Sequence, residues 1–335
     1  MRDDRLTVRA AHALVSYRPV GTLALAAGDP LGPRQEWPQA AWAFLAEATA
    51  QGRTPAVLGC GAGAARVWWA AGLTTLYLGD EAVLDLQRFS LQGRAVRIAR
   101  QSWNRARRAG FTALACRPDD LDPSTVAALR ELSRRWRGAA AERGFSMALG
   151  RLFDPRDAGA LLVIARDAAG RPVGFLHFVP WGRDGASLDV MRRERDSPGY
   201  LSDFLVVEAA RRLPGLGVRR LSLNFSFLRA VLAAGTEPDV RFGLRAARWL
   251  LRRLSGPFQI ETLDRFNKKF APTWQPRYLA VEALEELPRV AIAALRAEGL
   301  LPTVPWRLAR RRPRQPAAGR KPPPAAPLAP KPGQR

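Results

Sequence analysis

The sequence is poor in the residues that build metal centres and disulfide frameworks. Its 335 residues include two cysteines, Cys60 and Cys116, and two histidines, His12 and His177. No C-x-x-C or H-x-x-x-H spacing occurs, which argues against a zinc site. Two cysteines in a reducing compartment usually remain free thiols. We therefore expect no metal and no cofactor.

Long apolar runs are also missing. The longest of them, such as residues 159–165, have the length of a strand and not of a membrane-spanning helix. Residues 1–19 carry acids and have no apolar segment of the kind that a signal peptide needs. We expect a chain that does not span a membrane, which leaves contact with a membrane surface open.

Acidic residues are few relative to basic ones. The formal net charge is +23 and the isoelectric point is about 11.5. Residues 307–335 hold nine Lys or Arg, eight Pro and no acid, and subtracting those nine charges leaves +14 for the rest. This excess indicates an anionic partner, either a nucleic acid or an anionic membrane face. Residues 305–335 are predicted to form a disordered tail.

Strand-like and helix-like segments alternate in both halves of the chain. This pattern predicts a mixed α/β fold with an internal duplication and a sheet in each half. Two strands are expected in 12–30, joined at Arg18-Pro19, and a hairpin in 160–181 that turns at Ala169-Gly170. Helices are predicted at 38–52, 92–110, 122–138, 199–213, 241–254 and 287–299.

A glycine motif in residues 57–63 resembles a dinucleotide-binding turn. Gly59, Gly61 and Ala64 fit G-x-G-x-x-G/A, and Asp80 follows after the next predicted strand. The motif also resembles the first motif of S-adenosylmethionine-dependent methyltransferases, but Val57 stands where those enzymes carry an acid. We interpret the motif as a tight turn with small residues for helix packing.

One predicted helix carries arginines without any acid to pair with them. Unrelieved positive charge along a helix favours phosphate binding, with RNA and phospholipid headgroups as the two alternatives. An ordinary solvated face is the simpler alternative. The arginines assigned to tRNA or phosphate are Arg94, Arg97, Arg100, Arg105, Arg107 and Arg108.

Several segments together resemble one known family. They are SLDVMRR (187–193), GYLSDFLVVEAARRL (199–213), GVRRLSLNFSFLR (217–229) and LDRFNKKFAPTWQPRYLAVE (263–282), with further matches at 26–33, 77–111 and 142–155. In these segments the chain resembles the cytosolic C-terminal domain of phosphatidylglycerol lysyltransferases, the bacterial multiple peptide resistance factors. The resemblance covers roughly residues 10–285, and the last segment is too long a match to be chance.

The resemblance implies a fold and a reaction. It implies two tandem GNAT-like (N-acetyltransferase-like) folds, which we place at residues 1–145 and 146–304, with the active site in the second. It also implies transfer of lysyl or alanyl from aminoacyl-tRNA to a hydroxyl of phosphatidylglycerol, at the inner face of the plasma membrane. Family members usually carry membrane helices ahead of this domain, so we include a separate integral membrane protein among the expected partners.

Two other functions remain open from the residues. The first is a GNAT-like acyltransferase that uses another donor, such as acyl-CoA, or a non-lipid acceptor. The second is a non-catalytic basic module that binds RNA or a membrane. Substitution of Asp189 and Arg192 would separate this module from an enzyme, because a module would keep its binding.

Four residues are the predicted catalytic set. Asp189 and Arg192 form the family's Asp-x-x-Arg, and we assign Asp189 to the amino group of the transferred residue and Arg192 to a phosphate or the carbonyl. An ion pair at a strand end is the structural alternative. Asp203 is the favoured acid of the following helix, with a helix-start role as its alternative. Asn224 is a candidate oxyanion donor, although a capping or ladder role would equally explain it.

Substrate contacts are predicted in two places. Ser222 lies on the polar side of an alternating strand, and residues 263–282 form a proposed clamp for phosphate and substrate. The cations of the clamp are assigned to phosphate and its asparagine to loop structure. Its two rings are assigned to stacking on a terminal adenine or to lining the acceptor path, with a place in the core as the simpler alternative. The clamp residues are Arg265, Asn267, Lys268, Lys269, Trp274, Arg277 and Tyr278. His177, flanked by apolar residues, is interpreted as a core histidine in preference to a general base.

Overall fold

The protein is a mixed α/β molecule built on one broad sheet. The computed structural model describes residues 5–138, 145, 152–154, 157, 159–225 and 257–299. The strands in these ranges are β1 (Leu6–Ala10), β2 (Ala13–Val20), β3 (Leu23–Ala27), β4 (Thr54–Gly61), β5 (Thr74–Asp85), β6 (Thr112–Cys116), β7 (Leu161–Arg166), β8 (Pro172–Trp181), β9 (Gly185–Arg193), β10 (Arg220–Phe225) and β11 (Thr273–Val281). The helices are α1 (Trp37–Ala50), α2 (Ala62–Ala70), α3 (Arg97–Arg108), α4 (Pro123–Arg137), α5 (Tyr200–Arg212), α6 (Pro257–Lys268) and α7 (Leu287–Ala297).

All eleven of these strands belong to a single sheet. Their order is β1-β2-β3-β4-β11-β5-β10-β9-β8-β7-β6. We expected a separate sheet in each half, and this expectation was wrong, because β5 of the first half pairs with β10 of the second. Pairing at this position removes two open sheet edges that would otherwise expose unpaired backbone groups.

The predicted duplication is visible in the strand connections. β1, β2 and β3 form an antiparallel meander, and α1 then crosses over to β4, which lies parallel to β3. In the same way β7, β8 and β9 form a meander, and α5 crosses over to β10, which lies parallel to β9. The two halves therefore repeat one βββαβ unit.

One strand ties the two halves together. β11 lies antiparallel to both β4 and β5 and separates them in the sheet. It comes from the end of the described chain, about 190 residues after its partner β5. The first half therefore obtains a central strand from the second. The predicted division at residue 145 stays a prediction.

Helices cover both faces of the sheet. On one face, α1 and α2 pack against the first half through Phe44 and Trp68, and α5 packs against the second half through Phe204. Tyr278 and Trp274 of β11 pack against these two clusters, so α1, α2 and α5 share a face. We call it the α5 face. The opposite face, which we call the α4 face, carries α4 and α7.

Element boundaries confirm most of the sequence predictions. The hairpin turn at residues 167–171 and the ends of α1 and α5 lie close to where they were predicted. The β2–β3 turn lies at Gly21, whose φ is +60°, and not at Arg18-Pro19. β1 was missed because its short sequence is largely exposed and gives little apolar signal. The predicted helix at 241–254 and the predicted tail at 305–335 lie outside the described residues.

Candidate active site and basic surface

Polar side chains form a row on the α4 face across five neighbouring strands. The row begins on β11 and continues through β5, β10 and β9 to β8. Its residues are Arg277, Glu81, Ser222, Asn224, Asp189 and His177. We call this set the cross-strand polar row. Alternation along the strands explains its position, since apolar neighbours such as Ala82, Leu221 and Phe178 pack on the α5 face.

Glu81 joins three strands at the centre of the row. Its Oε2 atom accepts a hydrogen bond from Nε of Arg277 at 2.9 Å, and it also accepts one from Nη2. Its Oε1 atom accepts from the hydroxyl of Ser222 at 2.5 Å. Glu81 is 7% exposed and Ser222 is fully buried. This carboxylate therefore orients both a cation and a hydroxyl in a site that excludes most water.

Asn224 links the central part of the row to β9. Its backbone N–H donates to Oγ of Ser222 at 3.2 Å, and its Nδ2 donates to the carbonyl of Leu188 at 2.7 Å. The residue has φ of +70°, a left-handed conformation that asparagine tolerates better than most residues. Asn224, the predicted oxyanion donor, therefore uses one amide hydrogen in a bond to the backbone beside Asp189.

Asp189 occupies a β-bulge. Val190 pairs with His177 and Leu188 pairs with Phe178, so Asp189 is the extra residue of β9. Such bulges turn side chains away from regular alternation. Oδ2 of Asp189 lies 2.9 Å from Nδ1 of His177, and both side chains are almost fully buried. Asp189 is therefore part of a buried carboxylate–imidazole pair, and its assignment to the amino group of the transferred residue stays a prediction.

Arg192 lies near this pair. Its strand partner is Phe175, whose ring contacts Phe153 and Trp136 on the α4 face. The guanidinium Nη1 donates to the carbonyl of Met191 at 3.2 Å. The Asp-x-x-Arg residues therefore share a face because of the bulge at Asp189, although three residues normally separate opposite sides of a strand.

Asp203 lies on the α5 face, away from the row. It is 2% exposed and accepts hydrogen bonds from the hydroxyl of Ser102 at 2.8 Å and from Nζ of Lys269 at 2.9 and 3.0 Å. These contacts join α3, α5 and the end of α6. The sequence analysis grouped Asp203 with Asp189 in one catalytic set, but the structure does not bring these two residues together.

The predicted clamp at 263–282 is divided between several environments. Lys268 pairs with Asp264 on the surface, and Lys269 pairs with Asp203. Trp274 and Tyr278 pack on the α5 face, whereas Arg277 belongs to the row on the α4 face.

Two other polar residues of the clamp lie on α6. Arg265 is exposed, and Asn267 is 1% exposed with an Oδ1 atom that has no hydrogen-bond partner within the described ranges. These residues therefore do not converge on one ligand. Arg277 is the one clamp residue that joins the cross-strand polar row.

A basic surface lies on and beside α3. Arg100 donates to the carbonyls of Leu91 and Gly93, and Arg105 stacks over the ring of Tyr200 at 5.2 Å. Arg107 lies over Trp103 at 4.9 Å. The exposed arginines of this surface are Arg94, Arg97, Arg105, Arg107 and Arg108. The predicted set is therefore grouped on one side of the molecule.

Two arginines of α5 extend this surface, and sequence reasoning missed them. Arg211 lies over Trp103 at 4.6 Å, and Nε of Arg212 donates to Oε2 of Glu208 at 2.5 Å. Glu208 also accepts from the indole N–H of Trp103 at 2.6 Å. Their adjacency in the sequence was visible, but only helix packing places them beside α3.

The glycine motif is a packing turn. Gly59 has φ of +74°, and the N–H of Gly61 donates to Oδ1 of Asp29 at 2.6 Å. A Cβ atom at Gly61 would lie 3.2 Å from Nη1 of Arg277, so a larger residue there would crowd this guanidinium. The amide at the helix start is thus used internally, which supports the interpretation of a turn over that of a nucleotide site.

Three further features bear on chemistry. Cys60 and Cys116 are buried free thiols, and burial raises the pKa of Cys60 to about 12, so it is a poor nucleophile at neutral pH. In the described part of the chain, no group of three His, Cys, Asp or Glu side chains is suited to a metal ion. Nor is any helix there apolar and long enough to cross a bilayer.

Glu81 is the row residue that sequence reasoning missed. A signal existed, because Glu81 is a carboxylate directly before the apolar run Ala82, Val83 and Leu84. An acid at such a buried position of a strand needs a partner. The partner, Arg277, is 196 residues away in sequence, so no local pattern identifies it.

Comparison with known proteins identifies the family. The family described as phosphatidylglycerol lysyltransferase, C-terminal, matches residues 1–281. The chain belongs to this family, and the resemblance inferred from the sequence segments is confirmed.

Relatives and solved structures agree with this assignment. The chain is 41% identical to the lysylphosphatidylglycerol biosynthesis bifunctional protein LysX of Mycobacterium marinum, over 90% of the chain and 27% of that protein. It is 42% identical to the protein of the same name from Nocardia farcinica, again over 90% of the chain and 27% of that protein. The chain therefore spans about a quarter of the length of these relatives.

Two structures show the fold. The structure of L-PGS from Bacillus licheniformis aligns with a TM-score of 0.76 and 24% identity, covering 88% of this chain and 89% of that one. A C-terminal domain (DUF2156) from Agrobacterium fabrum aligns with a TM-score of 0.73 and 24% identity, covering 90% and 91%. The predicted fold class is confirmed.

Proposed function

We propose that the chain transfers a lysyl group from lysyl-tRNA to a hydroxyl of phosphatidylglycerol at the inner face of the plasma membrane. The observation that carries this proposal is the cross-strand polar row, which places carboxylate, amide, hydroxyl and guanidinium groups together in a chain of the lysyltransferase family. The names of the relatives favour lysine over the alanine that the sequence left open.

The reaction requires little more than alignment and electrostatics. The aminoacyl ester is already activated, so the enzyme must bring the acceptor hydroxyl to the ester carbonyl and stabilise the oxyanion that develops. Asp189 is assigned to the α-ammonium group of lysine and Arg192 to a phosphate or the carbonyl, as the sequence predicted. Asn224 holds the Leu188 carbonyl beside Asp189, and Ser222 accepts from the backbone N–H of Asn224.

Asp203 has a different part in the proposal. Its ion pair with Lys269 and its bond to Ser102 stabilise the junction of α3, α5 and α6. That junction supports the basic surface, which we assign to the phosphates of tRNA. Asp203 is thus proposed to act on donor binding and not on the chemistry.

Charge supports both proposed substrates. The net charge of +23 favours association with tRNA and with an anionic lipid surface alike. We propose peripheral binding to the membrane, and an integral membrane protein remains a proposed partner.

The test uses the purified chain, phosphatidylglycerol vesicles and tRNA charged with labelled lysine, with label followed into the lipid extract. Transfer from lysyl-tRNA, and none from free lysine with ATP, is the expected result. Asp189→Ala should abolish it, whereas Asp196→Ala, which changes an exposed carboxylate after β9, should not.

Other outcomes separate the alternatives. Label in the lipid from alanyl-tRNA, and none from lysyl-tRNA, would show that alanyl is the transferred group. Label in the lipid from acyl-CoA would favour the GNAT-like acyltransferase. If no donor gives a labelled product and the folded protein still binds RNA or vesicles, the result would favour the non-catalytic module.

A further inference from the structure

We propose that His177 is the base of the transfer reaction and that Asp189, in addition to the contact with the α-ammonium group proposed above, orients the His177 ring. This inference rests on the proposed function, since it assigns the proton transfer within that reaction. The observation behind it is the buried His177–Asp189 pair, in which Asp189 holds one imidazole nitrogen and the other has no hydrogen-bond partner in the described part of the chain.

The pair fixes the orientation of the ring. Nδ1 of His177 lies 2.9 Å from Oδ2 of Asp189, and an ionised carboxylate can only accept, so Nδ1 carries the donated hydrogen. In the neutral ring, Nε2 then holds a lone pair. A carboxylate that holds the far nitrogen of a histidine is the usual device for presenting the near nitrogen as a base.

The second ring nitrogen, Nε2, is the atom that bears on the reaction. His177 is 0% exposed, and Nε2 has no hydrogen-bond partner among the residues that the structure describes. A buried polar atom without a partner costs free energy, so a core histidine would be expected to satisfy both nitrogens. The core interpretation from the sequence therefore accounts for Nδ1 and leaves Nε2 unexplained.

The surroundings are suited to a group that moves one proton. The ring of Phe153 meets the imidazole edge-on at 6.1 Å, and aromatic contacts continue to Phe175. The charged groups on this face of β8 and β9 are Asp189 and Arg192, both assigned to substrate or ring orientation. Asn224 holds the Leu188 carbonyl beside the bulge, which connects the pair to the rest of the row.

The proposed step conserves atoms and charge. Nε2 takes the proton from the glycerol hydroxyl of phosphatidylglycerol while the hydroxyl oxygen forms a bond to the lysyl carbonyl carbon. The bond from that carbon to the ribose oxygen of tRNA then breaks, and the proton on Nε2 passes to the leaving ribose oxygen. The imidazole returns to its starting state with no further reactant.

The first test is a variant. His177→Asn keeps a donor near the position of Nδ1 and removes Nε2. We expect a fall in kcat of roughly 100-fold or more, with little change in the KM for lysyl-tRNA. His12→Gln, which changes the exposed histidine, is the control and should keep wild-type activity. A folded His177→Asn protein with activity within twofold of wild type would overturn the inference.

The second test needs no variant at position 177. The chain has two histidines, so ¹⁵N-histidine labelling gives two imidazole spin systems, which His12→Gln assigns. We expect His177 to be protonated at Nδ1 and not at Nε2. Protonation at Nε2 in the neutral ring would refute the proposal.

The two proposals fail differently. If the wild-type chain moves no lysine to lipid, the proposed function fails, whatever the NMR spectra show. If the wild-type chain is active and His177→Asn is equally active, the proposed function stands and the role of His177 is lost.

Discussion

At the scale of single residues, the molecule buries an ion pair, although burial of a charged group is unfavourable. The Glu81–Arg277 pair has side chains that are 9% and 12% exposed. Such a pair holds together because each charge compensates the other and Ser222 satisfies a further oxygen. The residues that set the geometry of the row therefore also stabilise the fold.

Loss of the Glu81 carboxylate should destabilise the fold. Glu81→Gln removes the carboxylate that is hydrogen-bonded to the buried Arg277 guanidinium, so we expect the free energy of unfolding to fall by about 3–5 kcal/mol. Urea denaturation measures this change. The control is Glu131→Gln, which breaks the exposed pair with Arg134 and should cost about 0.5 kcal/mol or less. Similar costs for both variants would contradict the argument.

The buried thiol of Cys60 predicts a loss of stability at alkaline pH. Burial, with a smaller effect from Asp29, raises its pKa to about 12, whereas an unfolded cysteine ionises near 8.5. Above pH 8.5 the unfolded chain releases a proton that the folded chain keeps, so stability falls as pH rises, by about 1.4 kcal/mol per pH unit. Urea midpoints from pH 7 to 10 should fall less in Cys60→Ala.

At the scale of elements, α3 combines two functions on its two sides. Ala99 and Ala106 are fully buried on the side that packs against α5, while the exposed arginines of the helix are Arg97, Arg105, Arg107 and Arg108. Trp103 lies at the border, held by Glu208 and covered by Arg107 and Arg211. Packing thus fixes a cationic surface that would repel itself on an isolated helix.

Removing charge from the basic surface on and beside α3 should weaken RNA binding and its salt dependence. We expect Arg94, Arg97 and Arg108, changed together to Gln, to lower affinity for tRNA and to reduce the slope of log K against log salt by about 2–3. Fluorescence titration at several salt concentrations measures both quantities.

The matched control removes the same charge from elsewhere on the surface. Its three substitutions to Gln are at the exposed residues Arg9, Arg88 and Arg134. Equal losses in both triple variants would indicate that net charge alone, and not the α3 surface, binds RNA.

At the scale of the whole molecule, the halves share a sheet and are not independent. β11 supplies the neighbour of β4 on one side and of β5 on the other. Because its residues Ala280 and Val281 are fully buried, the strand also completes two hydrophobic clusters of the first half. The whole chain is therefore expected to unfold in a single transition.

A fragment tests this coupling. Residues 1–145, the predicted first domain, lack β11, so we expect the fragment to show no cooperative urea transition by circular dichroism. Addition of residues 146–304 should restore one. A fragment 1–145 that unfolds cooperatively as a monomer would show that the halves are independent domains.

The sequence by itself determined the alternation of elements, the duplication, the family and the basic helix. Each of these depends on local periodicity or on contiguous motifs, and Asp189, Asn224 and Arg277 were accessible for the same reason. Tertiary structure alone decided that the halves form one sheet, that Asp203 lies on the other face, and that Glu81 and His177 join the row. Those facts depend on contacts between residues far apart in sequence and on bulges at single positions, which no local pattern records.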